Sequence, residues 1–198
     1  MFQLLVATGN PGKYLEIQSI LDDSAINLTI PDAIGVSLTV EETGATYEEN
    51  ASLKAKAYAQ ASGMVTLADD SGLEVETLHG LPGIRSARFS PQPHATDADR
   101  RAYLLEMLRA YPRPWKAHFH CTVAIATPNG KLYYAQGNCP GEIILDERGK
   151  NGFGYDPIFL LPEMGLTMAE LSLQEKNRLS HRARAIKAAL PILHTLFS

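Results

Sequence analysis

Asp69 and Asp70, followed by Ser71 and Gly72, close an apolar run with two adjacent acids, and so concentrate like charge. A bound Mg2+ would relieve that repulsion, because Mg2+ typically takes one or two carboxylates together with waters and substrate phosphates. The same residues also read as a turn closed by one of the acids. Glu41 and Glu42 make a second acidic pair beside a regular element, either to meet the first pair in one cleft or as solvated surface. In TGNPGK, Thr8, Gly9, Asn10, Pro11, Gly12 and Lys13 join an apolar run to a helical pattern. The first N–H groups of a helix lack intrahelical partners and its dipole favours negative charge there, so the turn with Lys13 suits a phosphate. A strand, a glycine turn and a helix also begin many α/β domains. The P-loop pattern GxxxxGK[ST] is not met, since Ala7 and Tyr14 stand where Gly and Ser or Thr are required.

Two further stretches lie toward the other end. GFGYDP sets Phe153 between Gly152 and Gly154 and then offers Tyr155 and Asp156, which suits stacking on a flat base or a turn with a packed aromatic. EKNRLSHRARAIK gathers Lys176, Arg178, His181, Arg182, Arg184 and Lys187 near a helix start, where cations oppose the dipole and require an anion or an exposed setting. Ser71 and His181 do not make a hydrolase dyad, because no G-x-S-x-G turn is present.

The elements that must position these residues follow from periodicity. Phe2 to Ala7 reads as a strand, and Tyr14, Ile17, Ile20 and Leu21 recur at helical spacing after a start near Pro11 or Gly12. Residues 27–40 read as irregular chain or a short strand. Thr46 and Glu49 have capping-box spacing before an alanine-rich helix to about Ser62, and Thr96 with Asp99 and Thr167 with Glu170 repeat the signal. Met64 to Ala68 reads as one strand, ended by the two acids, and Leu73 to Leu78 as another. A long loop follows to Thr96. Trp115 to Ala126 and Leu132 to Gln136 read as strands joined by a turn at Pro128, Asn129 and Gly130, and a short strand is expected at Ile158 to Leu161. Ser180 is placed to cap the last helix, which Pro191 should kink or fray. Strands interleaved with helices, plus a hairpin, imply an α/β fold with a mixed sheet.

The chain of 198 residues, 45% of them hydrophobic, suffices for one well-buried domain or two lobes sharing a core. Its net charge of -4 argues against a general nucleic-acid-binding protein. No apolar run reaches the length of a membrane span and no signal peptide is evident, so the expected location is the cytoplasm. Cys121 and Cys139 stand alone, without a CxxC or Cys/His cluster, and are expected to be reduced and packed.

In order along the chain, TGNPGK (8–13), EETG (41–44) with EENASLKAKA (48–57), ADDSGLEV (68–75), LPGIRSARFS (81–90), GFGYDPIF (152–159) and SHRARA (180–185) resemble the inosine triphosphate pyrophosphatase family. These enzymes hydrolyse nonstandard purine nucleoside triphosphates. The resemblance spans nearly the whole chain. It implies one catalytic domain over residues 1–198, an elongated mixed β-sheet flanked by helices, two lobes around a central cleft, and usually a homodimer. The implied reaction converts ITP, dITP or XTP to the monophosphate and pyrophosphate, with Mg2+ as cofactor. It further implies that Thr8 to Lys13 bind the triphosphate, that Asp70 is catalytic and a metal ligand, and that Glu41 is the second ligand. Asp69 would support the acids and Ser71 would touch the substrate. Phe153, Gly154, Tyr155 and Asp156 would hold the base, with Lys176, His181 and Arg182 completing the pocket. GFGYDP and SHR argue against a sibling of similar fold, the septum-formation-inhibitor type of pyrophosphatase. The intact Asp70, Lys13 and Glu41 argue against a non-catalytic nucleotide-binding module.

Overall fold

A computed structural model describes residues 2–22 and 24–197. The described elements are β1 (Phe2–Val6), α1 (Pro11–Leu21), β2 (Ile26–Thr29), α2 (Tyr47–Ser62), β3 (Thr66–Val75), α3 (Asp97–Leu108), β4 (Trp115–Ala126), β5 (Leu132–Ile143), β6 (Phe159–Leu161), β7 (Leu166–Thr167), α4 (Leu173–Leu179) and α5 (His181–Phe197), with short 3₁₀ turns between them. The described strands form one seven-stranded sheet in the order β2-β1-β3-β4-β5-β6-β7. It is mixed, as expected: β1 runs parallel to β2 and β3, while β6 is antiparallel to both β5 and β7.

Contacts divide the chain into two compact units. The first holds the chain up to Asp70, Cys121–Gly137, and everything from His181 on. β3 has a separate apolar cluster on each face here. Leu67 packs with Val6, Ile17, Cys121, Ala185 and Ile186, whereas Ala68, one step along, packs with Ala7, Ala51, Ala55 and Ala59. That alternation is the period of two of a strand, and it decides what each acid further along will meet. Gly137 of β5 also has a packing reason: a Cβ there would stand 2.2 Å from the His181 carbonyl oxygen and 2.5 Å from Ala185 N. The second unit comprises Ser71–His120 and Asn138–Ser180, with Leu73, Val75, Leu104, Leu108, Trp115, Tyr155, Ile158 and Phe159 in its core.

Several boundaries differ from expectation for identifiable reasons. The acids do not end a strand; β3 runs unbroken through Asp69, Asp70, Ser71 and Gly72 to Val75, so the two expected strands are one, and Glu76–Leu78 is a 3₁₀ turn. Partners distant in sequence satisfy both carboxylates and override the local turn preference of Asp, Ser and Gly. β5 likewise continues past Gln136 to Ile143. α5, expected to kink or fray at Pro191, runs through it to Phe197. The capping boxes at Thr96 and Thr167 form, the second opening a 3₁₀ turn. At Thr46 only half of the box forms: its side chain accepts from Glu49 N, but the Glu49 carboxylate takes Ala45 N, one residue short of the cap.

Candidate active site

The TGNPGK turn places Asn10 at the N-cap of α1 and Pro11 in its first turn. Asn10 Oδ1 accepts from Gly12 N at 2.9 Å and Lys13 N at 3.1 Å, while Asn10 N donates to Thr8 Oγ1 at 3.1 Å. Two of the helix N–H groups expected to face a phosphate are therefore held by the asparagine cap, the usual solution for orphan donors. No heavy atom lies within 4 Å of where a Cβ on Gly9 would stand, so its neighbours do not require glycine. Lys13 reaches from the first turn of α1 to β3, where its Nζ donates to Asp69 Oδ2 at 2.9 Å.

Asp69 is 2% exposed and sits on the Leu67 face of β3. Its Oδ2 also accepts from Arg182 Nε and Nη2, both at 3.3 Å. Burial alone would raise its pKa, but Lys13, Arg182 and Lys54 outweigh it and hold this carboxyl well below the usual range. Arg182 is 0% exposed and directs Nη1 to Glu16 of α1, itself buried. Burial opposes its charge, yet Asp69 and Glu16 together raise its pKa. Cys121, on the same side, is pushed up to about 12 by burial and the Asp69 charge, which keeps it a thiol.

Asp70 is 6% exposed and follows the Ala68 face toward α2, where Asn50 Nδ2 donates to its Oδ2 at 3.1 Å. Asn50 is oriented in turn by EETG: its Oδ1 accepts from Gly44 N at 2.8 Å. A Cβ on Gly44 would lie 2.6 Å from Glu49 Cβ and 2.8 Å from that same Oδ1, so glycine is needed for the approach. Burial raises the Asp70 pKa; Lys54 opposes the rise, Glu42 adds to it, and the net shift is upward.

Lys54 is the participant whose part sequence reasoning passed over, while Glu42 was read there as half of an acidic pair with Glu41. Lys54 Nζ donates to Glu42 Oε1 at 2.6 Å and to the Asp69 carbonyl oxygen at 2.7 Å. Burial works against its charge, but Asp69, Asp70 and Glu42 raise its pKa overall. The only available signal was spacing, since Lys54 follows Asn50 by four residues and shares its helix face. Glu41, expected as a metal ligand, is exposed, and the electrostatic neighbour of Asp70 is Glu42. Two carboxylates of like charge, one of them buried and held toward its protonated form, fit a dication. Among the described residues no three His, Cys, Asp or Glu side chains converge on one point. That donor set suits Mg2+, which takes few protein ligands and completes its shell with water and phosphate.

Ser71 is half-buried next along β3, and His181 is buried at the start of α5.

In the second unit, the 152–156 loop is tightly tied. Asp156 Oδ2 accepts from Phe153 N at 2.9 Å and from Lys176 Nζ at 2.6 Å. A Cβ on Gly152, at φ +75°, would come within 2.0 Å of that oxygen. Tyr155 points into the core, where its hydroxyl donates to the Ser86 carbonyl at 2.9 Å and burial pushes its pKa up. Phe153 stays half-buried, with Lys176 Nζ 5.0 Å from its ring centroid. The cation–π contact and the Asp156 pair together orient Lys176.

The Ham1 family model matches residues 4–192. A protein of Desulforamulus reducens named dITP/XTP pyrophosphatase is 42% identical over 98% of this chain and 97% of its own length. One of the same name from Deinococcus deserti is 47% identical over 97% of this chain and 89% of its own. The solved structure of a HAM1 protein from Coxiella burnetii superposes with a TM-score of 0.89 at 40% identity, covering 98% of this chain and all of the other. With the family match spanning almost every residue, the chain belongs to the Ham1 family.

Proposed function

We propose that this chain hydrolyses nonstandard purine nucleoside triphosphates, ITP, dITP and XTP, to the monophosphate and pyrophosphate. The observation that carries this reading is the meeting at β3 of Lys13 from the TGNPGK turn, Asn50 and Lys54 from α2, and the consecutive acids Asp69 and Asp70. Asp69 is paired with cations and stays ionised, while Asp70 is held toward protonation, the separation that equips one acid for proton transfer. The names of the relatives supply the substrate class.

Asp70 accepts the proton of the water that attacks the α-phosphorus, and Asn50 holds its carboxylate in one orientation. Lys13 and Lys54 offset the charge that develops on the departing pyrophosphate. Asp70 with Glu42 would hold Mg2+, which on binding supplies Lewis acidity toward the phosphate oxygens and neutralises their charge. Thr8 to Lys13 take the triphosphate, and Ser71 touches the substrate. Phe153 and Gly154 take the base, assisted by Lys176 and His181, while Tyr155 and Asp156 hold the loop in shape. Arg182 acts from within the protein, setting Asp69 and through it Lys13. Residues 1–198 act as one catalytic domain, and a homodimer in the cytoplasm belongs to the same reading, on family resemblance.

Hypoxanthine and xanthine present a 6-oxo acceptor without an exocyclic amine. A pocket with donors facing that oxygen would set the adenine amine against a donor and leave the guanine 2-amino group unpaired, at a cost of roughly 1–3 kcal/mol or more. The test is pyrophosphate release from ITP, XTP, ATP and GTP at equal concentration, with and without Mg2+. ITP and XTP are expected to exceed both standard purines by about a hundredfold in kcat/KM, the compounded cost of such mismatches. Comparable rates on ATP or GTP, or orthophosphate as the first product, would overturn the reading.

A further inference from the structure

The start of α3 grips the loop that carries Phe153. Asp97 Oδ2 accepts from Gly154 N at 2.7 Å, and Arg101 Nη1 donates to the Gly154 carbonyl oxygen at 2.8 Å. Both backbone polar groups of one residue thus end on side chains four apart on one helix face. Neither side chain is loose. Arg101 is locked from behind by a fork onto Glu147, Nε to Oε1 at 2.8 Å and Nη2 to Oε2 at 2.9 Å. The other oxygen of Asp97 pairs with Arg100. Burial pushes this carboxyl up, but the Arg100 bond and the Gly154 amide prevail and keep it ionised. Behind both, the Thr96–Asp99 capping box fixes the helix start, and Leu104 and Leu108 anchor α3 in the core that also holds Tyr155.

The consequence falls on Phe153. Its own amide is bound by Asp156 Oδ2, and the next amide, Gly154 N, by Asp97. The peptide planes on both sides of the Phe153 Cα are therefore fixed, and with them the direction in which its ring leaves the backbone. Helix capping needs none of this: Thr96 and Asp99 already make the box, and Arg101 lies beyond the first turn.

We propose that Asp97 and Arg101 are positioning residues for base recognition, holding Gly154 so that the Phe153 ring is presented at one fixed angle to the purine. This rests on the reading that Phe153 meets the base. Misplacing a stacking platform forfeits much of its stacking while phosphate binding elsewhere is untouched.

The test uses the full chain, with IMP as a ligand that has a base and pyrophosphate as one that lacks it, each titrated calorimetrically in MgCl2, alongside steady-state kinetics on ITP. Asp97→Ala and Arg101→Ala should each weaken IMP binding and raise KM for ITP roughly tenfold, the size of a lost base stack, with kcat and pyrophosphate affinity within about threefold of wild type. Asp97→Asn keeps an oxygen that can accept from Gly154 N and should recover most of the IMP affinity. Phe153→Ala separates the two layers of argument. If it weakens IMP binding while the Asp97 and Arg101 variants bind IMP normally, the loop reads the base and the clamp is wrong. If Phe153→Ala binds IMP as wild type does, the base reading fails and the clamp with it. Equal loss of IMP and pyrophosphate in Asp97→Ala would make α3 a merely structural support and would also overturn the proposal.

Discussion

Asp69 and Asp70 are consecutive residues on one strand, both almost fully buried, and they live in opposite electrostatic surroundings. On one face of β3, Asp69 meets Lys13 and Arg182, and Arg182 in turn meets Glu16. On the other, Asp70 receives a hydrogen bond from Asn50, with Lys54 drawing it toward ionisation and Glu42 pushing it back. A pleated strand turns successive side chains to opposite sides, so a step of one residue exchanges a saturated ion network for an electrostatically contested site. On the proposed function, one short stretch holds a structural charge and a reactive one without the first neutralising the second.

Removing the structural acid should have the largest effect. Asp69→Ala leaves Lys13 and Arg182 facing one another with a single acid, Glu16, to compensate. Breaking a buried ion pair from one side costs about 3–5 kcal/mol, measurable by urea unfolding. The sign with pH is fixed by the depressed pKa of Asp69: its stabilisation is fully present above the unfolded-state value near 3.8 and is lost as pH falls toward the folded value. Wild type should therefore lose stability below about pH 4 more steeply than Asp69→Asn, where no such proton is taken up. Equal acid slopes in the two proteins would erase the distinction between the faces.

The second effect is catalytic and lies on the other face. Asp70→Asn should lower kcat at least about a hundredfold, the usual contribution of a positioned general base. Stability should hold or rise, because a buried carboxyl whose pKa is raised costs folding energy whenever it ionises, and an amide does not ionise. A variant with near-normal turnover and lowered thermal stability would invert the assignment, making Asp70 structural and leaving the proton acceptor elsewhere.

How much of this could be read beforehand depended on sequence distance. Thr96 with Asp99 and Thr167 with Glu170 act across three residues, and their boxes formed, while Thr46 with Glu49 at the same spacing formed only half of one. The mixed sheet followed from strands alternating with helices. What could not be read was the continuity of β3 through its acids, because Asp69 is satisfied by an arginine 113 residues away. Local propensity saw Asp, Asp, Ser and Gly and expected a turn. Lys54 carried no reading of its own within the alanine-rich helix, since nothing nearby in sequence announces that it reaches the Asp69 carbonyl. Tyr155 was legible as a member of GFGYDP but not as a core residue, because Ser86, which takes its hydroxyl, belongs to a stretch 69 residues earlier. Motifs marked the neighbourhoods; the pairing of charges within them required the fold.

Glu41 and Glu42 are the clearest case, and they yield the smallest and most discriminating prediction. Two adjacent acids in extended chain point different ways, and the sequence does not say which one faces Asp70. Glu42 Oε1 lies 2.6 Å from Lys54 Nζ and its charge bears on Asp70, whereas Glu41 is exposed. We propose that a divalent ion at Asp70 is shared by Glu42 rather than Glu41, with Lys54, the present counter-ion of Glu42, then left to the Asp69 carbonyl and the substrate phosphates. Neutralising one of two carboxylate ligands should raise the Mg2+ concentration for half-maximal activity roughly tenfold in Glu42→Gln, comparable to losing a supporting group of a metal site. Glu41→Gln, which removes a solvated charge, should stay within about twofold, since screened surface charges contribute little. Hydrogen–deuterium exchange of the 41–46 backbone amides, followed with and without Mg2+, gives a readout independent of turnover: protection by the ion should survive Glu41→Gln and be lost in Glu42→Gln. The opposite pattern, with Glu41 controlling both the Mg2+ requirement and the protection, would return the metal to the residue first suggested by family resemblance. It would also show that EETG rearranges when the ion binds.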